Sequence, residues 1–351
     1  MLDARAMTKF RIPHEAEPVS RIITCWPANS EEWPCGLAAP RREFALWIKA
    51  ILDGTNPSRF GVTVLARDAE AEASARQALG PRVRVLRASN GDVWARDTGP
   101  ILAVTERGRR LAIRFGFNGW GGKYLMPGDL EVAPRIARET DAELMEHRLV
   151  TEGGALEFDG EGTVLTTRIC LINKNRNPGL TEAQITRELK ASLGLDAVLW
   201  LDDGLKHDHT DGHIDNAARF VRPGQVVCMT PYGDDDPQAE RLIQIRRQLS
   251  RMTDARGRRL DVRTIPSPGR VTGANGDIWP ASYLNWIIGP KRVVVPVYGQ
   301  PGERRALSAI QALFPGRRVV GSPARAILEG GGAFHCVTCQ VPGESVCSER
   351  I

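Results

Sequence analysis

A cysteine, two histidines and a set of carboxylates occupy glycine-rich segments scattered along this 351-residue chain. Asp92 and Asp97 lie in NGDVWARDTGP and Glu152 in EGGALEF. Asp211, His213 and Asp215 lie in HTDGHIDNAARF, Asp277 in NGDIW, and Glu329, His335 and Cys336 in EGGGAFHC. A thiol attacks only as its thiolate, so it needs a neighbour that lowers its pKa. Carboxylates bind the planar guanidinium group through paired hydrogen bonds. A histidine within reach can protonate a leaving nitrogen and later activate water. Together these parts compose a hydrolytic deimination at a guanidinium carbon, in which the bound cation helps to create the thiolate that attacks it.

Groups so far apart in sequence meet only if the fold repeats, and the segments do recur. Each glycine-rich turn is followed by an apolar run, a tight turn and a second apolar run. Examples are ALEF–DGEG–TVLTT after Glu152 and AARFV–RPGQ–VVCMT after His213. The runs are β-rich and the turns carry Gly, Pro and Asp, as hairpins require. Five copies occur at intervals of roughly 60 residues, close to the period of closed repeat arrays. Between them lie helical patterns with apolar residues at i, i+3 and i+4: Thr181 to Gly194, Gln238 to Met252 and Glu303 to Phe314. Thr181 with Gln184 reads as a capping box. Short apolar strands, Val62 to Ala66, Ala197 to Leu201 and Arg318 to Gly321, precede the next glycine turn. The expectation is an α/β protein of ββαβ-type repeats ringed about a pseudo-five-fold axis. That makes one domain over 21–345, with an extension at 1–20 and a tail at 346–351.

Composition bounds the partners. Hydrophobic residues are 42% and charged residues 25%, an ordinary globular balance, and Lys+Arg 47 against Asp+Glu 42 leaves +5. The basic residues form short groups and no stripe, so nucleic acid is not the expected partner. No apolar stretch reaches about 18 residues and the N-terminus has no apolar leader, so neither a membrane nor secretion is expected. Seven cysteines, an odd number in a long chain, argue against a disulfide framework and for a cytoplasmic setting. A homo-oligomer is compatible with this reading.

The motifs NGDVWARDTGP, EGGALEF, HTDGHIDNAARF, ASYLNWII and EGGGAFHCVT resemble those of agmatine deiminases. So do WPANSEEWP near the start and FGFNGWGGKY in the middle, so the resemblance spans residues ~20 to 342. It places the chain in the guanidine-modifying superfamily, which includes bacterial peptidyl-arginine deiminases and folds as a five-bladed α/β-propeller, the pentein fold. It implies hydrolysis of agmatine to N-carbamoylputrescine and ammonia, on the route to putrescine, with no metal or organic cofactor. Cys336 would be the nucleophile, forming an amidino-cysteine intermediate, and His213 the general acid and then base. Asp97 and Asp215 would hold the guanidinium nitrogens, and Glu152 would orient His213. Trp94 and Asn285 would line the pocket.

Other readings of the same residues stay in view. Cys336 and Cys339 form a C-x-x-C, but in a β-rich run, where residues three apart face opposite sides. Cys339 is therefore expected as buried filler, and His335, adjacent to Cys336, as a structural hydrogen-bonder. Asp92 and Asp277 sit in matching Asn-Gly-Asp turns and are expected to satisfy backbone amides. Trp120, in the glycine-flanked NGWGGK, is the candidate lid residue. His207, His209 and His213 could belong to a metal-dependent hydrolase. Peptidyl-arginine or another guanidine is the alternative substrate, and a non-catalytic binding module would be expected to lack the cysteine or the histidine.

Overall fold

Each of the first four expected hairpins forms, and each is followed by a helix and a strand that returns parallel to the hairpin's second strand. A computed structural model of the chain describes residues 9–33 and 35–343. In the first unit, Ile101–Thr105 pairs antiparallel with Arg110–Gly116, and helix Asp129–Glu139 leads to Glu143–Val150, parallel to it. The second joins Glu157–Phe158, Thr163–Thr167, helix Glu182–Leu193 and Ala197–Leu201 in the same order. The third uses Ala218–Arg222, Gln225–Thr230, helix Ala239–Leu249 and Asp261–Pro266. The fourth uses Ile287–Ile288, Arg292–Val297, helix Glu303–Leu313 and Arg318–Pro323.

The fifth unit is assembled from both ends of the described chain. Strand Thr338–Pro342 pairs antiparallel with Val19–Cys25, helix Ala38–Leu52 follows, and Gly61–Ala66 lies parallel beside Val19–Cys25. Among the described residues the result is a mixed α/β fold with five separate small sheets. Helix and parallel strand go together because a parallel pair needs a crossover long enough to run back over the sheet.

Local chemistry explains the elements. Thr181 and Gln184 form both bonds of a capping box, and Gly194 closes the helix in the left-handed region at φ 64°. Ile185, Leu189 and Leu193 lie on its one buried face, each contributing roughly 1.5–3 kcal/mol on burial. Gly61–Ala66 is flanked by parallel strands on both edges, and Val62 to Ala66 are all buried, hence the unbroken apolar run.

Residues 9–18 are built into the body. Phe10–Arg11 adds an edge strand to the first sheet, and the segment beyond it carries His14, whose ring lies 3.2 Å from the Phe220 carbonyl. The tail at 346–351 lies outside the described residues. No helix among the described residues is long and apolar enough to cross a membrane.

Candidate active site

Every unit delivers its chemistry from the short turn just before its first hairpin strand. Asp97 lies in Ala95–Thr98, Glu152 just before the turn Gly153–Ala155, and His213 and Asp215 in the turn that leads to Ala218–Arg222. Asn285 precedes Ile287–Ile288, and His335 and Cys336 precede Thr338–Pro342. These turns are tight: the Asp97 and Thr98 amides donate to the Trp94 carbonyl, and the Val337 amide to Ala333. The chain doubles over there, so consecutive side chains do not alternate as they would in a strand.

That turn corrects one expectation. His335 and Cys336 do not face opposite sides. His335 Nδ1 lies 2.8 Å and Cys336 Sγ 3.5 Å from the same atom, Asp215 Oδ2. Cys339, inside the strand, is buried as expected and gives its thiol to the Pro100 carbonyl.

The thiol of Cys336 is 4% exposed. Asn285 clamps it: the amide Nδ2 donates to Sγ at 3.1 Å, and Oδ1 accepts from the backbone amides of His335 and Cys336. Burial first, then the charges of Asp215 and Asp97, push the thiol well above the ordinary cysteine range, against the pull of Asn285.

His213 is fully buried, with Nδ1 3.8 Å from Asp97 Oδ2 and Nε2 3.5 Å from Glu152 Oε2. Both distances are long for hydrogen bonds, and neither ring nitrogen has a formed partner. Burial pulls the imidazole pKa down, but Asp97, Cys170 and Glu152 outweigh it and hold it well above the usual histidine range. Glu152 is fixed by Arg176, whose Nε reaches its two oxygens at 2.9 and 3.0 Å. Arg176 also bonds Asp211 Oδ2 at 2.6 Å and the Thr210 carbonyl at 2.7 Å. Asp97 accepts from the Gly154 amide and from the Trp120 indole, both at 2.9 Å. Burial raises its pKa, and Asp215 and Glu152 add to that.

Gly154 is what allows these groups to converge. A Cβ there would stand 2.6 Å from His213 Nδ1, 2.9 Å from Asp97 Oδ1 and 3.1 Å from Asp215 Oδ2.

A pocket of about 260 Å³ opens above Cys336 and Asp97. Trp94, Trp120, Tyr124, Met126, His209 and Thr210 line it, with Glu31, Glu32 and Glu329 among its walls and no lysine or arginine among the described residues. A strongly acidic cavity on a chain of net charge +5 selects for a cation. Trp94 stacks on Trp33 at 6.5 Å. Trp120 lies at φ 53°, a conformation costly outside glycine. Its bond to Asp97 and its edge-to-face packing on Phe117 hold it there. The loop is tied down by Lys123, which bonds Asp211 Oδ1 at 2.8 Å, and by Tyr124, whose hydroxyl is 3.2 Å from His209 Nδ1.

The structure therefore brings together Cys336, His213, Asp97, Asp215, Glu152 and Asn285, and puts Trp94 and Trp120 on the pocket wall. It does not gather His207, His209 and His213. The first two are exposed and the third is fully buried; among the described residues the close metal-type grouping is Glu152, Cys170 and His213. The two Asn-Gly-Asp turns also differ. Asp92 is buried, accepts from the Trp33 indole at 3.3 Å and is pushed up to about 7 by burial, whereas Asp277 is exposed and bonds Asn275. The fourth unit contributes Asn285 instead of its glycine turn.

Four participants were missed in the sequence: Glu15, Cys170, Arg176 and Arg219. Only Arg219 carried a signal, a cation inside the apolar run AARFV. It is fully buried, with Nε 2.8 Å from Glu157 and its other nitrogens on Glu15 and on the Leu284 and Trp286 carbonyls. A buried cation in a strand requires such partners.

The model of the Porphyromonas-type peptidyl-arginine deiminases matches residues 11–342. The chain belongs to that family. It is 36% identical to the agmatine deiminase of Stutzerimonas stutzeri, over 96% of each chain, and 35% identical to that of Pseudomonas aeruginosa, over 95% of each. The solved agmatine deiminase of Enterococcus faecalis superposes with a TM-score of 0.89 at 33% identity, covering 95% of this chain and 96% of that one.

Proposed function

We propose that this protein hydrolyses agmatine to N-carbamoylputrescine and ammonia through an amidino-cysteine intermediate, and that its five units stand around one axis as a five-bladed propeller. The observation that carries the reading is a buried thiol set against two carboxylates: Cys336 Sγ is 3.5 Å from Asp215 Oδ2, and Asp97 lines the same pocket. Agmatine deiminase relatives at 35% and 36% identity support the substrate.

The guanidinium group binds between Asp97 and Asp215, and its charge offsets the carboxylates that hold the thiol protonated. The thiol proton passes to solvent as the cation binds, and the thiolate adds to the guanidinium carbon. His213, held protonated by Asp97 and Glu152, gives its proton to the departing nitrogen, and ammonia leaves. The C–S bond then joins Cys336 to the amidino group. Neutral His213 takes a proton from water as the oxygen adds to the same carbon, and the C–S bond breaks to return the thiolate and the urea product while the remaining hydroxyl proton passes through solvent to the released ammonia. The two half-reactions sum to guanidinium plus water giving a urea plus ammonium.

The distal end of the substrate lies among Glu31, Glu32 and Glu329. Among the described residues the pocket wall offers no lysine or arginine for an α-carboxylate, which favours agmatine over free arginine. The test is ammonia release from agmatine, free arginine and a blocked arginyl peptide, without added metal. Release from agmatine is expected; release only from the peptide would move the substrate, and none from any would refute the reading.

A further inference from the structure

Asp215 is gripped from behind by an imidazole that is itself gripped by a second carboxylate. His335 Nδ1 lies 2.8 Å from Asp215 Oδ2, and Nε2 lies 2.8 Å from Glu15 Oε1. An ionised carboxylate only accepts, so with both carboxylates ionised each contact at that length uses a ring N–H. Glu15 is held in turn by Arg96 at 3.1 Å and by Arg219. We propose that Glu15 is a positioning residue of the deimination site: through His335 it fixes the orientation and the ionised form of Asp215. The inference rests on the reading of Asp215 as one arm of the guanidinium clamp.

Three observations carry it. Asp215 Oδ2 is already shared by His335 and Cys336, whereas Oδ1 is buried without a partner. Pinning Oδ2 leaves Oδ1 as the acceptor for a substrate N–H. Glu15 does not line the pocket over Cys336, so its influence passes through His335. Its own segment is rigid: the Ala16 amide bonds His14 Nδ1, and Arg11 pairs with Glu17. The groups facing His335 are Asp215, Glu15 and Cys336, with Arg96 on its carbonyl and the charges of Arg219 and Glu157 behind. Buried Asp215 and part-buried Glu15 are both held below their ordinary values: desolvation opposes this, and His335 with the arginines outweighs it.

The experiment uses the full chain with agmatine and compares wild type, Glu15→Gln, His335→Asn and the double variant. Glu15→Gln keeps the shape and removes the charge. A hydrogen bond to a charged group is at stake, so kcat/KM falls roughly 10- to 100-fold. The acid limb of its pH profile moves to higher pH, because the His335 hydrogen bond that keeps Asp215 ionised is no longer held in place. The double variant is no worse than His335→Asn alone, since both act through one carboxylate. An unmoved acid limb, or a double variant that shows the product of the two single losses, overturns the proposal and leaves Glu15 as a neutraliser of Arg219.

Wild type silent on agmatine would count against the functional reading instead. The relay is then tested, as it is if the variants do not fold, by spectra of wild-type chain labelled with nitrogen-15 histidine. The ring assigned to His335, distinguished from that of the buried His213, is expected to show two N–H protons protected from exchange with solvent. Among the described residues only His335 has both nitrogens at hydrogen-bond length from carboxylates; the contacts of His213 are 3.8 and 3.5 Å. No such ring would overturn the relay.

Discussion

Replacing Gly154 by alanine tests the convergence of the site with one methyl group. The new Cβ would lie 2.6 Å from His213 Nδ1, which is 0.8 Å inside the 3.4 Å at which ordinary contact begins. It would also press on Asp97 Oδ1 at 2.9 Å and Asp215 Oδ2 at 3.1 Å. The backbone has little room to retreat. The Gly154 amide is bonded to Asp97, and the neighbouring Gly153 packs so closely on the Arg96 carbonyl that a Cβ there would stand 2.3 Å away. Relief must come from the His213 ring and the two carboxylates. A displacement near 1 Å at the reacting centre can cost on the order of 10²-fold, so kcat/KM for agmatine is expected to fall by about that factor. Overpacking should also cost about 1–3 kcal/mol of stability, read by urea denaturation. The assay is ammonia release with kcat and KM resolved, beside the alkylation rate of Cys336 as a check that the thiol remains in place. Activity within twofold of wild type would refute the convergence of His213, Asp97 and Asp215 on this glycine.

Other expectations follow from the same geometry. Cys336→Ser should abolish ammonia release while Cys339→Ser retains it; equal losses would undo the assignment of the nucleophile. Asp215→Asn should move two readouts in opposite directions. Removing its negative charge lowers the Cys336 pKa, so iodoacetamide labelling of the Cys336 peptide at neutral pH speeds up, whereas deimination collapses. Slower labelling would contradict the charge argument. Arg176→Met leaves Glu152 buried without its counter-ion and should destabilise the protein by about 3–5 kcal/mol, measured by denaturant titration, with activity lost as His213 loses its support. A loss below about 1 kcal/mol would show that Glu152 does not need the pair.

Stability should also depend on acidity. Glu15, Glu152 and Asp215 are held below their ordinary values by His and Arg partners that outweigh burial. Their contribution is complete above the unfolded carboxylate range, about 4, and is lost as pH falls through the depressed folded values. The melting temperature should therefore drop on acidification below that range; an unchanged value there would contradict the pairing.

Much of this protein is legible in one dimension. Hairpin signals and helical spacing are local, which is why Ala197–Leu201 and Glu303–Leu313 emerge where the residue pattern places them. The reactive groups are legible for a related reason: each sits in a glycine-rich turn immediately before a strand, and repetition of that turn marks it. What tertiary structure alone decided is which groups touch. The strand alternation expected around Cys336 fails because the chain is still in its turn there, and so His335 and Cys336 share Asp215. The turn with Asp277 looks like the turn with Asp92, yet it lies in solvent, because burial depends on what packs above a turn and not on the turn itself. Arg176 and Glu15 come from segments with no repeat signature. The charge of buried Arg176 and that of part-buried Glu15 are tolerated there because residues far away in sequence, Glu152 for the one and Arg219 for the other, arrive to neutralise them. A lone charge in a sequence gives no notice of such a partner; pairing buried charges is a constraint that only the folded chain can satisfy.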